Sequence, residues 1–479
     1  MIKPRIVIAL CSVALCAACA GRGAIDSAQP AIAVPEAWQA GEPGEPLDVE
    51  RYWDALGDPL LSSFVAQAAA QNRDLAVATA RLAQARGGLR QARAGYLPSI
   101  YSNAGIGRDV GDRAADDFSF SIGGDVRWEA DLFGRVGYDV AASRAGLAAA
   151  GYGLGDVQRL IVGQVAQITV SARALAVQLA IARQTLAVQE DNLQIAVWRR
   201  EAGLVSSLDV EQARAQRAQT AATIPALESD LAASANTIST LIGEPPGRVL
   251  ALLEAEAAPI PAPPTAFARE IPAAVLRRRP DVRQAEAFLI ADTARIGLAR
   301  AQLLPLVQLT GNINTASFGL GGLFDAITGN LFAGLSQLIF DGGRLAAQVD
   351  IAEAVAQGSL AGYEQTILVA LEEVDTAGAE LVAARQRVAL FDEARDAADT
   401  AALLARSQYQ AGLIDFQTLL TAENQLLSAR NAYAAAEAER ANAFIRLTQA
   451  LGGGWSPTDI DFLVNPPPII LTADTEASR

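Results

Sequence analysis

Few side chains in this sequence are equipped for chemistry, and their types narrow what it does. The chain of 479 residues contains no histidine, which removes the commonest catalytic base and metal ligand. Its cysteines, Cys11, Cys16 and Cys19, all lie near the amino terminus. Acids outnumber bases 53 to 38, for a formal net charge of −15. An acidic chain without a basic cluster is a poor partner for nucleic acid. There is no nucleophile elbow and no phosphate-binding glycine loop, and the acids are scattered along helix faces. The sequence therefore points to no enzyme, no metal and no cofactor. The carboxylates worth following are Asp209, Asp415 and Glu423, which lie shortly after two similar turns, Ala202-Gly203-Leu204 and Ala411-Gly412-Leu413. The plainer role of each is a solvated surface acid.

Long helices must position those turns. Val349, Ala356, Tyr363, Ala370, Ala377, Ala384, Phe391 and Ala398 recur every seventh residue, and Leu360, Ile367, Val374, Leu381 and Val388 form a second series until Arg395. Interleaved, they make a heptad seam. No proline occurs from Arg344 to Trp455, so nothing forces a kink. From Arg344 to Gly412 the arm would span roughly 100 Å as a helix. A helix that long needs other long helices beside it. Alanine supplies much of the apolar content and favours close helix approach.

The arm occurs twice. Asp74 to Pro98 and Asp281 to Pro305 both span 24 residues, Arg135 to Gly203 and Arg344 to Gly412 both span 68, and Gly203 to Gly243 and Gly412 to Gly452 both span 40. The offset shifts only from 207 to 209, as a two-residue insertion would produce. The expectation is one elongated body made of two homologous halves: 51–243 as first repeat, 244–279 as a proline-rich connector, 280–455 as second repeat and 456–479 as a flexible tail.

Each repeat interposes two strand candidates. Phe118, Phe120, Ile122, Val126 and Trp128 alternate with polar or small residues, with Ser99 to Gly107 as a weaker partner. In the second copy Val307, Leu309, Gly311 and Ile313 alternate likewise, Leu331 to Ile339 is the other strand, and Thr315 to Thr328 is a glycine-rich loop. Strands of about ten residues suit a tilted membrane span with one lipid face and one wet face. Four strands cannot close a barrel, and open edges cannot sit in lipid. Closure requires several chains. No stretch of 18 apolar residues follows the amino terminus, so a transmembrane helix is not expected.

Residues 1–18 read as a secretion signal, with Lys3 and Arg5 before the apolar run from Ile6 to Leu15. Losing those two positive charges would take the net charge from −15 to −17. The signal resembles that of a bacterial lipoprotein, in which Cys19 would be acylated after cleavage, although Cys16 stands at −3 where leucine is usual. Ala20 permits the outer membrane. Residues 19–50 then form a lipidated tether.

Ser407-Gln408-Tyr409-Gln410-Ala411-Gly412-Leu413, Leu451-Gly452-Gly453-Gly454-Trp455, Trp128 to Arg135 and Arg277-Arg278-Arg279-Pro280-Asp281-Val282 together resemble the TolC and NodT family of outer-membrane efflux proteins, in its lipoprotein branch. The resemblance implies a mainly α fold with a small β part: duplicated long coiled helices forming an α-barrel, plus four strands per chain in a 12-stranded β-barrel shared by a homotrimer. It implies an exit duct in the bacterial outer membrane that reaches into the periplasm. A periplasmic adaptor and an inner-membrane resistance-nodulation-division pump would be its partners. Gly203, Leu204, Gly412 and Leu413 would form the periplasmic tip that the adaptor touches. The family's gating aspartate and its basic partner would fall at Thr421 and Asn424, neither of them charged. Asp209, Asp415 and Glu423 remain as candidate constriction residues, since three copies would form a ring of like charge.

Arg135 and Arg344 are expected to start helices. Trp128 and Trp455 are read as packing at a helix–strand junction in preference to barrel-end aromatics. The rival readings are a non-pore periplasmic coiled-coil scaffold or adaptor, an envelope-polymer hydrolase, and an exit duct for protein secretion. Four amphipathic strand segments, which a scaffold does not need, favour the duct.

Overall fold

The structure, a computed structural model, describes Ile32, Pro35 and residues 48–108, 118–255, 258–265 and 272–456. The secretion signal, Cys19, most of the tether and the tail from 457 lie outside the described residues. The helices are α1 (Pro59–Gln71), α2 (Arg73–Ala94), α3 (Arg135–Glu201), α4 (Ser207–Leu241), α5 (Arg248–Ala255), α6 (Pro272–Arg278), α7 (Pro280–Ala301), α8 (Arg344–Gln410) and α9 (Phe416–Ala450). The strands are β1 (Ser99–Arg108), β2 (Phe118–Ala130), β3 (Leu306–Ser317) and β4 (Ile327–Ser336). The repeat is written in their lengths: α2 and α7 have 22 residues each, α3 and α8 have 67, and α4 and α9 have 35. Arg135 and Arg344 do open the long helices.

The chain divides into two compact units, one of them taking Ala80–Gly151 and Gln284–Thr366. The other takes the described residues up to Thr79, then Tyr152–Arg283, and those from Ile367 onward. Each unit draws matching pieces from both repeats.

The first unit holds a four-stranded antiparallel sheet in the order β1-β2-β3-β4. Its register sorts side chains by face, because successive residues of a strand point to opposite sides. Ile100, Val126, Gly311 and Leu331 form one row, and Tyr101, Asp125, Asn312 and Asn330 form the next. One face is apolar and the other polar, and Asn103 donates to the Asp125 carboxylate at 2.7 Å on the polar side. Among strands of this chain, β1 pairs only with β2 and β4 only with β3. Among the described residues no strand covers either outer edge. β4 starts earlier than the sequence suggests: Thr328 and Gly329 pair with Asn314 and Ile313, while Leu338, Ile339 and Phe340 fall beyond the strand. The expected glycine-rich loop shrinks accordingly, because β3 extends to Ser317 and β4 begins at Ile327.

The helical unit is built on the heptad seam. Ile367, Ala370, Val374, Ala377, Leu381, Ala384 and Val388 of α8 are all buried, and the same spacing resumes at Ala402, Ala405 and Tyr409. Val374, Ala377, Leu381 and Ala384 share a core with Phe64, Val165, Val170, Leu231, Ile238, Phe444 and Ile445, among others, while Ala405 and Tyr409 belong to a second, smaller cluster. Small residues let the elements close up. A Cβ at Gly155 would lie 2.7 Å from the Trp455 ring, and Trp455 is fully buried among helices rather than at a strand junction. Trp128, by contrast, sits at such a junction, its indole N–H donating to the Tyr96 carbonyl just after α2. A window of α3 is long and apolar enough to cross a membrane by composition, which the sequence reading overlooked; 56% of that window is buried inside the chain.

Two polar residues fix the start of this unit. Asn72 interrupts what the pattern suggests is one helix from Leu61 to Gly95. Its carboxamide oxygen accepts from the Asp74 and Leu75 N–H groups, and its nitrogen donates to the Leu241 carbonyl. Asp58 caps α1 through Leu60 and Leu61 and also pairs with Arg173 at 3.0 Å, both side chains buried. Removing one partner of a buried pair strands the other's charge. Asp58→Ala is therefore expected to cost about 3–5 kcal/mol of folding stability, read as a lowered thermal midpoint; a loss no larger than that of Asp54→Ala, an exposed acid nearby, would contradict it.

Candidate functional site

The residues singled out in the sequence converge at the end of the helical unit where α3 turns into α4 and α8 turns into α9. Both turns have the same construction. Gly203 and Gly412 adopt φ of +74° and +75°, a left-handed conformation that costs other residues energy. The Leu204 N–H donates to the Arg199 carbonyl and the Gly203 N–H to that of Arg200, at 2.8 and 2.9 Å. Leu413 donates to Gln408 and Gly412 to Tyr409 in the same way, at 2.9 and 3.0 Å. This pair of bonds satisfies the last carbonyls of a helix. Leu204, Leu208 and Leu413 are left with more than 60% of their surface exposed, so the turns present apolar knobs to solvent.

The acids after the turns do capping work. Ser206 and Asp209 form a reciprocal capping box at the start of α4. Asp415 caps α9, accepting from the Thr418 N–H at 2.8 Å, and hydrogen bonding from the Thr418 side chain, then from its backbone, lowers the Asp415 pKa. A carboxylate near a helix start is further favoured by the helix dipole. The Thr421 hydroxyl donates to the Gln417 carbonyl, and Asn424 exchanges hydrogen bonds with Gln216.

One residue missed in the sequence locks the two turns together. Arg199, in the last turn of α3, donates to the Tyr409 carbonyl at 2.6 Å, and its guanidinium lies 4.6 Å from the Tyr409 ring centroid. Tyr409 in turn meets Phe416 edge-on at 5.6 Å. Ala196, Val210, Ala213, Ala405 and Leu419 complete a small core. The available signal was a basic residue shortly before a helix-ending glycine, where a cation meets exposed carbonyls. The basic run Arg277-Arg278-Arg279 follows the same logic elsewhere. Arg278 donates to the Leu451 carbonyl and the buried Arg279 to that of Ala450, while Arg279 also holds Asp281 and Glu373. Arg278 and Arg279 thus close the end of α9, while Arg277 is exposed.

Glu423 differs from the other acids. It occupies the core stripe of α9 behind the turn and is only 6% exposed. Asn192 of α3 donates to both carboxylate oxygens at 2.7 and 2.8 Å, and Arg406 of α8 approaches at 3.3 Å. A polar layer in an apolar seam fixes register at some cost in stability. Burial pushes the Glu423 pKa up, an effect partly offset by Asn192 and Arg406. The structure thus brings Asp209, Asp415, Thr421, Glu423 and Asn424 to one end of the unit, with Glu423 turned inward. Among the described residues no group of three or more acids or thiols could hold a metal.

Comparison with known proteins places this arrangement. The family model for outer membrane efflux protein matches residues 64–244 and 271–453, two segments that track the two repeats. The toluene efflux pump outer membrane protein TtgF of Pseudomonas putida is 30% identical, over 93% of this chain and 96% of its own. The pyoverdine export outer membrane protein OpmQ of Pseudomonas aeruginosa is 29% identical, over 88% and 92%. Among solved structures, the outer-membrane channel OprN superposes with a TM-score of 0.79 at 31% identity, covering 90% of this chain and all of that one.

The Glu423 layer generates a pH-dependent prediction. The folded chain binds this proton more tightly than the unfolded chain does. Stability therefore falls as pH rises from the ordinary value of 4.5 through the raised folded value. Glu423→Gln should flatten the pH dependence of the thermal midpoint in the range that opens above pH 4.5. An unchanged slope would show that another group titrates.

Proposed function

The chain belongs to the outer membrane efflux protein family, and from that premise we propose that it is the exit duct of a tripartite efflux system. Three copies form the duct, each giving four strands to a 12-stranded barrel in the bacterial outer membrane. An inner-membrane resistance-nodulation-division pump and a periplasmic adaptor supply cargo and energy. The observation that carries this reading is the sheet: one apolar face, one polar face, and two edges with no strand partner among the described residues. Backbone groups cannot stay unpaired in hydrocarbon, so a lipid-facing sheet must close on something. Exposed apolar residues on the long helices, such as Leu368, Leu390, Leu403 and Leu404, need covering by other helices in the same way.

Transport in this reading is passive. The helices enclose a path, the turns at Gly203 and Gly412 form its periplasmic end, and the adaptor meets the exposed Leu204 and Leu413. Asp209 and Asp415 place charge near that end, where threefold repetition would concentrate it. Glu423 serves inside the wall, holding α3, α8 and α9 in register. The named cargo of the relatives ranges from toluene to pyoverdine, which fits a duct for small molecules that leaves selection to its pump. Cys19 carries the lipid anchor, and the protein catalyses no reaction of its own.

Three measurements test this. In planar bilayers the purified protein should conduct and, given its acidic composition, prefer cations; absence of conductance would contradict the duct, and a clear anion preference would contradict the acidic lining. A deletion strain should become more susceptible to several toxic small molecules, with the chain restoring resistance; unchanged susceptibility across a broad panel would count against efflux. Labelling with a palmitate analogue should mark the wild type and fail on Cys19→Ala; equal labelling would remove the anchor.

A further inference from the structure

We propose that Leu338–Phe340, the apolar stretch just beyond β4, is a docking surface for Tyr96–Pro98 of a second copy of this chain, forming a seal where the barrel gives way to helices. The proposal rests on the reading of a barrel closed between copies and adds a contact outside the strands. Ile339 is 94% exposed and Phe340 86%, the two highest values among the described large apolar residues, and Leu97 is 69% exposed. Exposed apolar side chains clustered together mark a contact surface.

Both stretches are held out rather than loose. Before the first, the Gln337 carboxamide donates to the Leu303 carbonyl at 2.9 Å. After it, the Asp341 carboxylate accepts from the Gly343 and Leu345 N–H groups at 3.0 and 2.9 Å, fixing the start of α8. The Tyr96 carbonyl is pinned by the Trp128 indole at 3.0 Å, and the Leu97 N–H donates to Ala94 at 3.0 Å.

Strand direction brings them together. The start of β1, the end of β2, the start of β3 and the end of β4 lie at the same end of the sheet. When β4 of one copy meets β1 of the next, the two run antiparallel, so the chain leaving β4 passes the chain approaching β1. Facing imposes a parity. Lipid-facing residues are odd-numbered in β4, as Leu331 and Leu335, and even-numbered in β1, as Ile100 and Ile106. A slip of one residue would turn every side chain to the wrong face. Beyond the strands that alternation lapses, because residues 95–97 form the turn that ends α2 and residues 337–340 carry no secondary structure, so the two stretches meet as neighbouring chain segments rather than as paired strands. The apolar character of these residues, which does nothing for the single chain, is then accounted for.

The test is cross-linking between copies of the full-length chain. Two versions of different tag size, one carrying Leu97→Cys and the other Phe340→Cys, are co-expressed, purified in detergent and treated with a short bismaleimide. The chain without an added cysteine gives the background. The expected result is a mixed dimer band at least tenfold stronger than from Ile106→Cys with Phe340→Cys, because Ile106 lies near the far end of β1. Ala104→Cys with Leu331→Cys reports barrel closure alone. If that pair cross-links and the Leu97–Phe340 pair does not, the seal is overturned and the closed barrel stands. If neither does, both fail.

Discussion

The structure depends on a requirement of the backbone: in hydrocarbon every N–H and C=O must find a partner, and β1 and β4 have no strand on their outer sides among the described residues. A sheet with one apolar and one polar face, left open at two edges, is not a finished object in a membrane. The rest of the chain makes sense as what a shared wall needs. Helices of 67 residues follow each strand pair in the chain. Alanine lines their seam, and a left-handed glycine ends each of them.

Duplication solves a second problem. Two copies of one helix–strand–strand–helix plan give each chain two strand pairs and two long arms with matched lengths, so the wall pieces are of equal height. The copies are not interchangeable at the turns. Ala196 and Ala405 correspond, as do Val210 and Leu419, and all four are buried. Arg199 corresponds to Gln408, however, and Ser207 to Phe416. That asymmetry lets one turn reach across to the other: Arg199 lies over Tyr409 because the second copy supplies the ring and the first the cation.

Much of this was legible in the sequence because it rests on periodicity and glycine, which act locally. The heptad stripe, the paired spacings, the alternation in β2 and the left-handed glycines all have short-range causes. What stayed hidden depends on partners distant in sequence. Asn72 breaks a helix by bonding to Leu241, a contact no local pattern announces. Glu423 reads as one more helix-face acid until α3 brings Asn192 against it. The shifted position of β4 has a similar origin: an apolar run at Leu338–Phe340 resembles strand, yet the register with β3 ends at Ser336.

The central claim is that one chain is a third of a functional wall. Native mass spectrometry of the purified protein released from detergent measures the number of copies directly. A particle of three chains that persists until heated is expected. A monodisperse single chain, stable in water without detergent, would contradict it.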